Sequence, residues 1–368
     1  MANALVEKES GKLFKMKLST FFGILFFLSF YINCNQNHSR SSTTSVIGAG
    51  QMPNMITDKK GNVQLVFGRG DSILCAESID QGKSFSTPSV VAILPKLVAT
   101  AMRGPQIAFS DDGITIIAVN QPGNIYSYKK NGSGGWDEPV RVNDVDTVAK
   151  EGLMALGGAG KNLFAVWLDL RFNKHNKIVG AKSMDGGATW SKNIIIYSSP
   201  DSSVCECCKP SVAMKGDDVY VMFRNWINGN RDLYLIRSSD GGSSFGQAQK
   251  LGNGSWALNG CPMDGGSLTI NRNGNAETVW NRKGEIFACE PGAQEKKLGE
   301  GSNCTMASIN DKNIYAWVEK GEVVILNSRG EKKELGKGQL PNIKAINDEE
   351  VICIWGNETQ IHKAILPL

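Results

Sequence analysis

Five cysteines concentrate the capacity of this chain for chemistry. Cys205, Cys207 and Cys208 stand in one Cys-x-Cys-Cys run, and Cys261 and Cys304 each precede a later apolar segment. Cys205 and Cys208 have C-x-x-C spacing, but no second such pair completes a four-thiolate set. Three readings stay open. In an exported chain, a disulfide such as Cys205 or Cys208 with Cys261 staples two loops and stabilises by about 2–4 kcal/mol. Thiolates with the thioethers of Met102, Met263 and Met306, which occupy comparable positions, suit Cu(I) or Zn(II). A redox dithiol is the third reading. Cys75, Cys289 and Cys353 fall inside strand-like runs (SILCAE, IFACEP, VICIW) and read as buried thiols.

A second set is polar and aromatic. Arg103, Arg171 and Arg224 could grip a carboxylate in bidentate fashion, and Asp169 or Asp264 could serve as an acid. Asn225, Trp226 and Trp256 stand in loop-like stretches where an indole ring can stack on a sugar. For each arginine the plain alternative is a solvated charge or a structural ion pair. The three histidines, His38, His175 and His362, are dispersed, so no Ser-His-Asp or His-rich metal constellation can be assembled.

These groups need a scaffold, and a short repeat supplies one. Ser78-Ile-Asp80-Gln-Gly82-Lys-Ser84-Phe85, Ser183-Met-Asp185-Gly-Gly187-Ala-Thr189-Trp190 and Ser238-Ser-Asp240-Gly-Gly242-Ser-Ser244-Phe245 share the pattern Ser-x-Asp-x-Gly-x-(Ser/Thr)-aromatic. Each copy follows a strand-like run. The Asp carboxylate can accept backbone N–H groups across a tight turn, Gly supplies a positive φ, and the aromatic residue drops beside the sheet.

The pattern resembles the Asp-box of the sialidase (neuraminidase) superfamily and related BNR-repeat propellers, over residues ~45–368. The resemblance implies an all-β fold, a β-propeller of four-stranded blades. Sialidase activity is not implied by the fold alone. The family grips its substrate with an arginine cluster and uses a Tyr nucleophile with an Asp acid. Arg103-Gly-Pro105 is similar to its Arg-Ile-Pro motif, displaced beyond the first box, with Arg171 and Arg224 completing the cluster. Tyr315 lies inside an apolar strand, NIYAWV, and reads as core, so the nucleophile is unassigned.

A longer unit recurs every ~35–57 residues, as propeller blades do. Its first strands begin near Pro53, Pro105, Leu153, Pro210, Gly266, Thr305 and Pro341, which gives seven units. Sialidases have six, so a six-bladed ring is the alternative. The last unit lacks a fourth strand, and TTSVIG (43–48) can supply it and close the ring. Because strands alternate in direction, the repeat turns share a face with the first-to-second-strand turns. The cysteine run, the arginines and the tryptophans then gather at the opposite mouth, where function is expected.

The N-terminus reads as a targeting segment. Lys12, Lys15 and Lys17 precede the twelve-residue apolar run FFGILFFLSFYI, too short to span a bilayer comfortably. Residues 1–33 are therefore expected to be a lipoprotein-type signal peptide, Cys34 the lipidation site and 34–44 a tether, with ordinary secretion as the alternative. The formal net charge, +4 overall, falls to about +2 without the leader, which leaves no basic footprint for nucleic acid. The expectation is an exported, membrane-anchored monomer. It binds a glycan or another surface ligand and requires no cofactor beyond a possible Cu or Zn at the cysteines.

Overall fold

The computed structural model describes residues 44–368 except Ser202. The expected leader, the lipidation candidate Cys34 and the tether up to residue 43 lie outside the described residues. Twenty-eight strands form seven four-stranded antiparallel sheets, and no helix occurs among the described residues. The chain is thus a seven-bladed β-propeller, and the six-bladed alternative is set aside.

The three inner layers of each blade differ in sequence because they differ in surroundings. The first strands (Gln51–Thr57, Gln106–Ser110, Met154–Ala159, Ser211–Lys215, Ser267–Ile270, Ser302–Ile309 and Gln339–Ala345) ring a central channel of about 440 Å³. One side of each is therefore polar or small. The second strands are packed by neighbouring blades on both faces and read as nearly unbroken apolar runs, as in VQLVFG and DVYVMFR. Trp167, Trp280, Trp317 and Trp355 all belong to second strands and are fully buried. Each such side chain stabilises by roughly 1.5–3 kcal/mol through burial. Cys75, Cys289 and Cys353 are buried free thiols in these layers.

The ring closes with the N-terminal strand. Ser45–Ala49 pairs antiparallel with Gln360–Pro367 and becomes the outermost strand of the blade whose other strands end the chain.

The three repeat turns are built alike and clamp blade to blade. Ser78 Oγ donates to Asp80 Oδ1 at 2.7 Å and accepts the Gly82 N–H at 2.8 Å. Ser84 donates its backbone N–H and its hydroxyl to the same carboxylate. Asp185 and Asp240 repeat these bonds with Ser183 and Thr189, and with Ser238 and Ser244. Gly82, Gly187 and Gly242 have φ of 80°, 84° and 84°, where a Cβ is strained. Their neighbours leave no room for one either: a Cβ on Gly242 would lie 2.3 Å from the Phe164 ring of the preceding blade. The turn around Gly187 accepts Ser127 Oγ and Thr115 Oγ1 from the preceding blade, and Lys363 Nζ caps the carbonyls of Gly82 and Lys83. The N–H of Gly241 donates to Asp217 O, in a first-to-second-strand turn. The repeat turns therefore share that face and leave the other mouth free.

Candidate functional site at the opposite mouth

At that other mouth the first strands begin, and a funnel of about 160 Å³ leads into the channel. Four blades carry Pro followed by a polar residue near the start of the inner strand, Pro105-Gln106 and Pro210-Ser211 at its first residue and Pro53-Asn54 and Pro341-Asn342 at a register shift within it. Proline needs no ladder partner at a strand start or a bulge, and the next side chain lines the funnel. The amides join into a chain across blades. Asn342 Nδ2 donates to Asn54 Oδ1 at 3.2 Å, and Asn54 Nδ2 donates to Gln106 Oε1 at 2.7 Å. Lys209 Nζ donates to the same Gln106 oxygen at 2.7 Å. The Gln106 amide is oriented by its own bonds to Gly104 O and Pro105 O.

Two lysines face this channel, Lys209 and Lys344. Neither has a carboxylate partner among the described residues. Burial lowers the pKa of both ammonium groups, Lys209 to about 8, with the charge of Lys344 adding to the effect on Lys209. Asp264, at the rim, is buried, and its carboxyl pKa is raised by burial against the pull of Arg224. Its Oδ2 accepts the Asn303 N–H at 2.7 Å, whereas its buried Oδ1 has no partner. An unpaired buried acceptor costs about 1–3 kcal/mol.

The arginines do not form a cluster in this funnel. Arg224 is buried and spends one bond from each guanidinium nitrogen on the carbonyls of Asp264, Arg231 and Asn281. Arg171 forks onto Asp169 at 2.8 and 2.9 Å and reaches Asp144 at 3.3 Å. Asp169 is fully buried, accepting Arg171 and the Trp167 indole N–H, so both are structural and Asp169 does not face the site. Arg103 holds the carbonyls of Glu151 and Ala101, with the Glu151 carboxylate 3.9 Å away. No tyrosine lines the funnel, and Tyr315 packs in the core between blades. Of the acid candidates, Asp264 alone faces the funnel.

Asn225 is likewise structural: it is fully buried and donates to Tyr197 Oη at 2.7 Å. Trp226 and Trp256 each turn one ring face to a guanidinium, Arg231 at 4.9 Å and Arg224 at 5.4 Å from the centroid. Both rings are half-buried, and Trp226 holds the arginine that reaches the sulfur cluster.

That cluster fills the segment entering the fourth blade. Cys207 is bonded to Cys261, which corrects the expected pairing through Cys205 or Cys208. Cys205 and Cys208 are buried free thiols with their sulfurs 3.4 Å apart, and Cys205 Sγ lies 3.8 Å from Cys207 Sγ. Arg231 Nη1 donates to Cys205 Sγ at 3.1 Å. The hydrogen bond shared with Cys208 is the largest influence lowering the Cys205 pKa to about 6; burial opposes it and Arg231 adds to it. Burial drives the Cys208 thiol well above its usual range. Cys304 stands apart in the funnel wall, its thiol also raised by burial. For a metal, the cluster offers two free thiolates with Met263 packed beside them, which falls short of a closed tetrahedral zinc site and is closer to a Cu(I) donor set.

The fold and site define a seven-bladed propeller with a polar funnel at one mouth and a sulfur cluster beside it. No protein-family model matches the sequence, and no curated protein matches it. Among solved structures, the chain is similar to virginiamycin B lyase from Staphylococcus aureus, at 11% identity and TM-score 0.54 over 88% of this chain and 99% of that one. It is similar to the polysaccharide lyase Uly1 at 11% identity and TM-score 0.55, over 88% and 91% of the two chains. The NanB sialidase from Streptococcus pneumoniae aligns at 12% identity and TM-score 0.45, over 89% and 70%. At such identities the likeness shows the propeller fold alone.

Lys209, Lys344, Gln106, Asn54 and Asn342 were not singled out by residue type. The signal that could have found the amides is the repeated Pro-polar pair at the strand starts, which marks one radial position in successive blades.

Proposed function

We propose that this protein is an exported propeller, anchored through a lipid on Cys34, that binds an acidic glycan in the funnel opposite the repeat turns. The observation that carries this reading is the pair Lys209 and Lys344, two channel-facing ammonium groups without carboxylate partners beneath a ring of amides. Such charges are costly in a folded protein and gain from an arriving anion. A sugar carboxylate or sulfate meets the lysines, and sugar hydroxyls meet Asn54, Asn342 and Ser211. In this reading the protein is a monomer, the membrane is a partner through the anchor alone, and no cofactor or nucleic acid is involved.

An exo-sialidase-like hydrolase is the alternative. It has less support, because Arg103, Arg171 and Arg224 are committed to separate protein partners and the funnel supplies no tyrosine nucleophile.

Calorimetric titration of the protein with uronate- or sialate-bearing oligosaccharides and their neutral counterparts tests the proposal. Binding should be selective for the acidic sugars and weaken about tenfold or more in Lys209→Gln, the loss of one charge-assisted contact. Equal affinity for neutral sugars, or none for any, would sink it. Turnover of a fluorogenic sialoside that is lost in Arg103→Ala would establish the hydrolase instead.

A further inference from the structure

Four sulfurs at the entrance to the fourth blade occupy two oxidation states: those of Cys205, Cys207 and Cys208 lie within 4.8 Å of one another, and that of Cys261 is bonded to Cys207. The Cys207–Cys261 pair is a disulfide, and Cys205 and Cys208 are thiols. Cys205 Sγ is 3.8 Å from the sulfur of Cys207 and 3.4 Å from that of Cys208, so it stands between the disulfide and the second thiol. It is fully buried, whereas Cys261 is exposed at the surface. A guanidinium, that of Arg231, points a donor at Cys205 Sγ from 3.1 Å and is itself held by the Trp226 face and by Leu258 O. A purely structural disulfide requires neither an adjacent dithiol nor a cation aimed at one of its sulfurs.

We propose that Cys205 and Cys208 form a redox dithiol that exchanges with the Cys207–Cys261 disulfide, making this loop a thiol–disulfide exchange site for small disulfides that reach Cys261 from solvent. In the first step the Cys205 thiolate attacks Cys207 Sγ. The Cys205–Cys207 bond forms, the Cys207–Cys261 bond breaks, and Cys261 leaves as a thiolate that takes a proton from solvent. Cys208 then loses its proton and attacks Cys205. The Cys205–Cys208 bond forms, the Cys205–Cys207 bond breaks, and Cys207 takes up that proton. The exchange moves the disulfide inward without any net oxidation. An external small disulfide then reoxidises the Cys207 and Cys261 thiols and leaves as two thiols, so two electrons pass outward from the buried pair. The guanidinium of Arg231, 3.1 Å from Cys205 Sγ, places a positive charge where the thiolate of the first step forms.

The test is iodoacetamide trapping of the full chain, purified without reductant and equilibrated in glutathione buffers from reducing to oxidising, followed by tandem mass spectrometry. A species with Cys205 joined to Cys208, and with Cys207 and Cys261 alkylated, should be present and should give way to the doubly bridged form as oxidised glutathione rises. Cys205 should alkylate about tenfold or more faster than Cys208 at neutral pH. Cys205→Ser should remove the exchanged species and leave Cys207–Cys261 alone; the mapping of the unmodified chain stands without that variant if it fails to fold. Finding Cys207–Cys261 as the sole bridge in every buffer, with Cys205 and Cys208 unreactive until denaturation, would overturn the proposal. Equimolar copper or zinc by elemental analysis, shielding both thiols, would overturn it in favour of a metal site.

Discussion

The guanidinium of Arg231 joins two features that the chain keeps far apart in function: its Nη1 lies 3.1 Å from Cys205 Sγ, and its plane covers the ring of Trp226 at 4.9 Å. The stack fixes the cation, and the cation favours the thiolate. Trp226 thereby serves the sulfur cluster through Arg231.

Arg231→Gln should raise the pH midpoint of Cys205 alkylation from about 6 toward the ordinary thiol value. Cys208→Ala should raise it further, because the Cys208 hydrogen bond is the larger influence. Rate-versus-pH profiles of iodoacetamide labelling read both shifts. Equal midpoints in the unmodified chain and both variants would show that neither group tunes Cys205.

Lys209→Met should separate stability from binding. The Lys209 ammonium is pushed from 10.5 down to about 8 in the fold, so the folded state disfavours the charge. Above the unfolded value the penalty is absent; it grows as pH falls from 10.5 to about 8 and is constant below. The variant should therefore gain about 1–2 kcal/mol at neutral pH, a figure discounted because the group faces an open channel. The gain should shrink as pH rises through that window, while acidic-glycan binding is lost. Urea denaturation at several pH values checks the sign, and a constant difference across pH would refute the linkage.

Asp185→Ala should cost about 1–2 kcal/mol, since the carboxylate holds Ser183 and the N–H and hydroxyl of Thr189. Its pKa is lowered, with burial opposing the hydrogen bonds from Thr189 and Ser183. The contribution is thus full above the usual carboxylate range and fades as pH falls through the lowered value. Ligand affinity at the opposite mouth should be unchanged. A loss of affinity greater than the loss of folded protein would show that the two mouths are coupled.

Deletion of residues 1–43 should leave thermal unfolding cooperative and at its original midpoint. Deletion of residues 1–49 removes Ser45–Ala49 and strips the edge from Gln360–Pro367, leaving the ring closed without its last antiparallel pair. The second truncation should unfold several degrees lower or aggregate. Identical midpoints for the two would show that the N-terminal strand does not secure the ring.

The sequence carried the architecture because the architecture is periodic. Repeated apolar strands, Pro-marked starts near Pro53, Pro105, Pro210 and Pro341, and three Asp turns each report a local preference, and seven copies make it legible. Alternation of strand direction then separated the face of the repeat turns from the opposite mouth, and the missing fourth strand after Gln360–Pro367 pointed to TTSVIG as its replacement. The site was legible only in part. Asp264 and the cysteine run were placed at the right mouth, but residue type could not distinguish an arginine that grips a ligand from one that holds Asp169 or the carbonyl of Asp264.

What the sequence determined by itself was the ring, its closure and its face, all properties of backbone periodicity and turn chemistry. Tertiary structure alone decided that Cys207, rather than its neighbours Cys205 or Cys208, bonds Cys261, and that Lys209 and Lys344, 135 residues apart in number, face one channel. The physical reason is range. Strand pattern is fixed by neighbours within a few residues, whereas a sulfur bridge or an unpaired charge depends on which side chains the closed ring brings within a few ångströms.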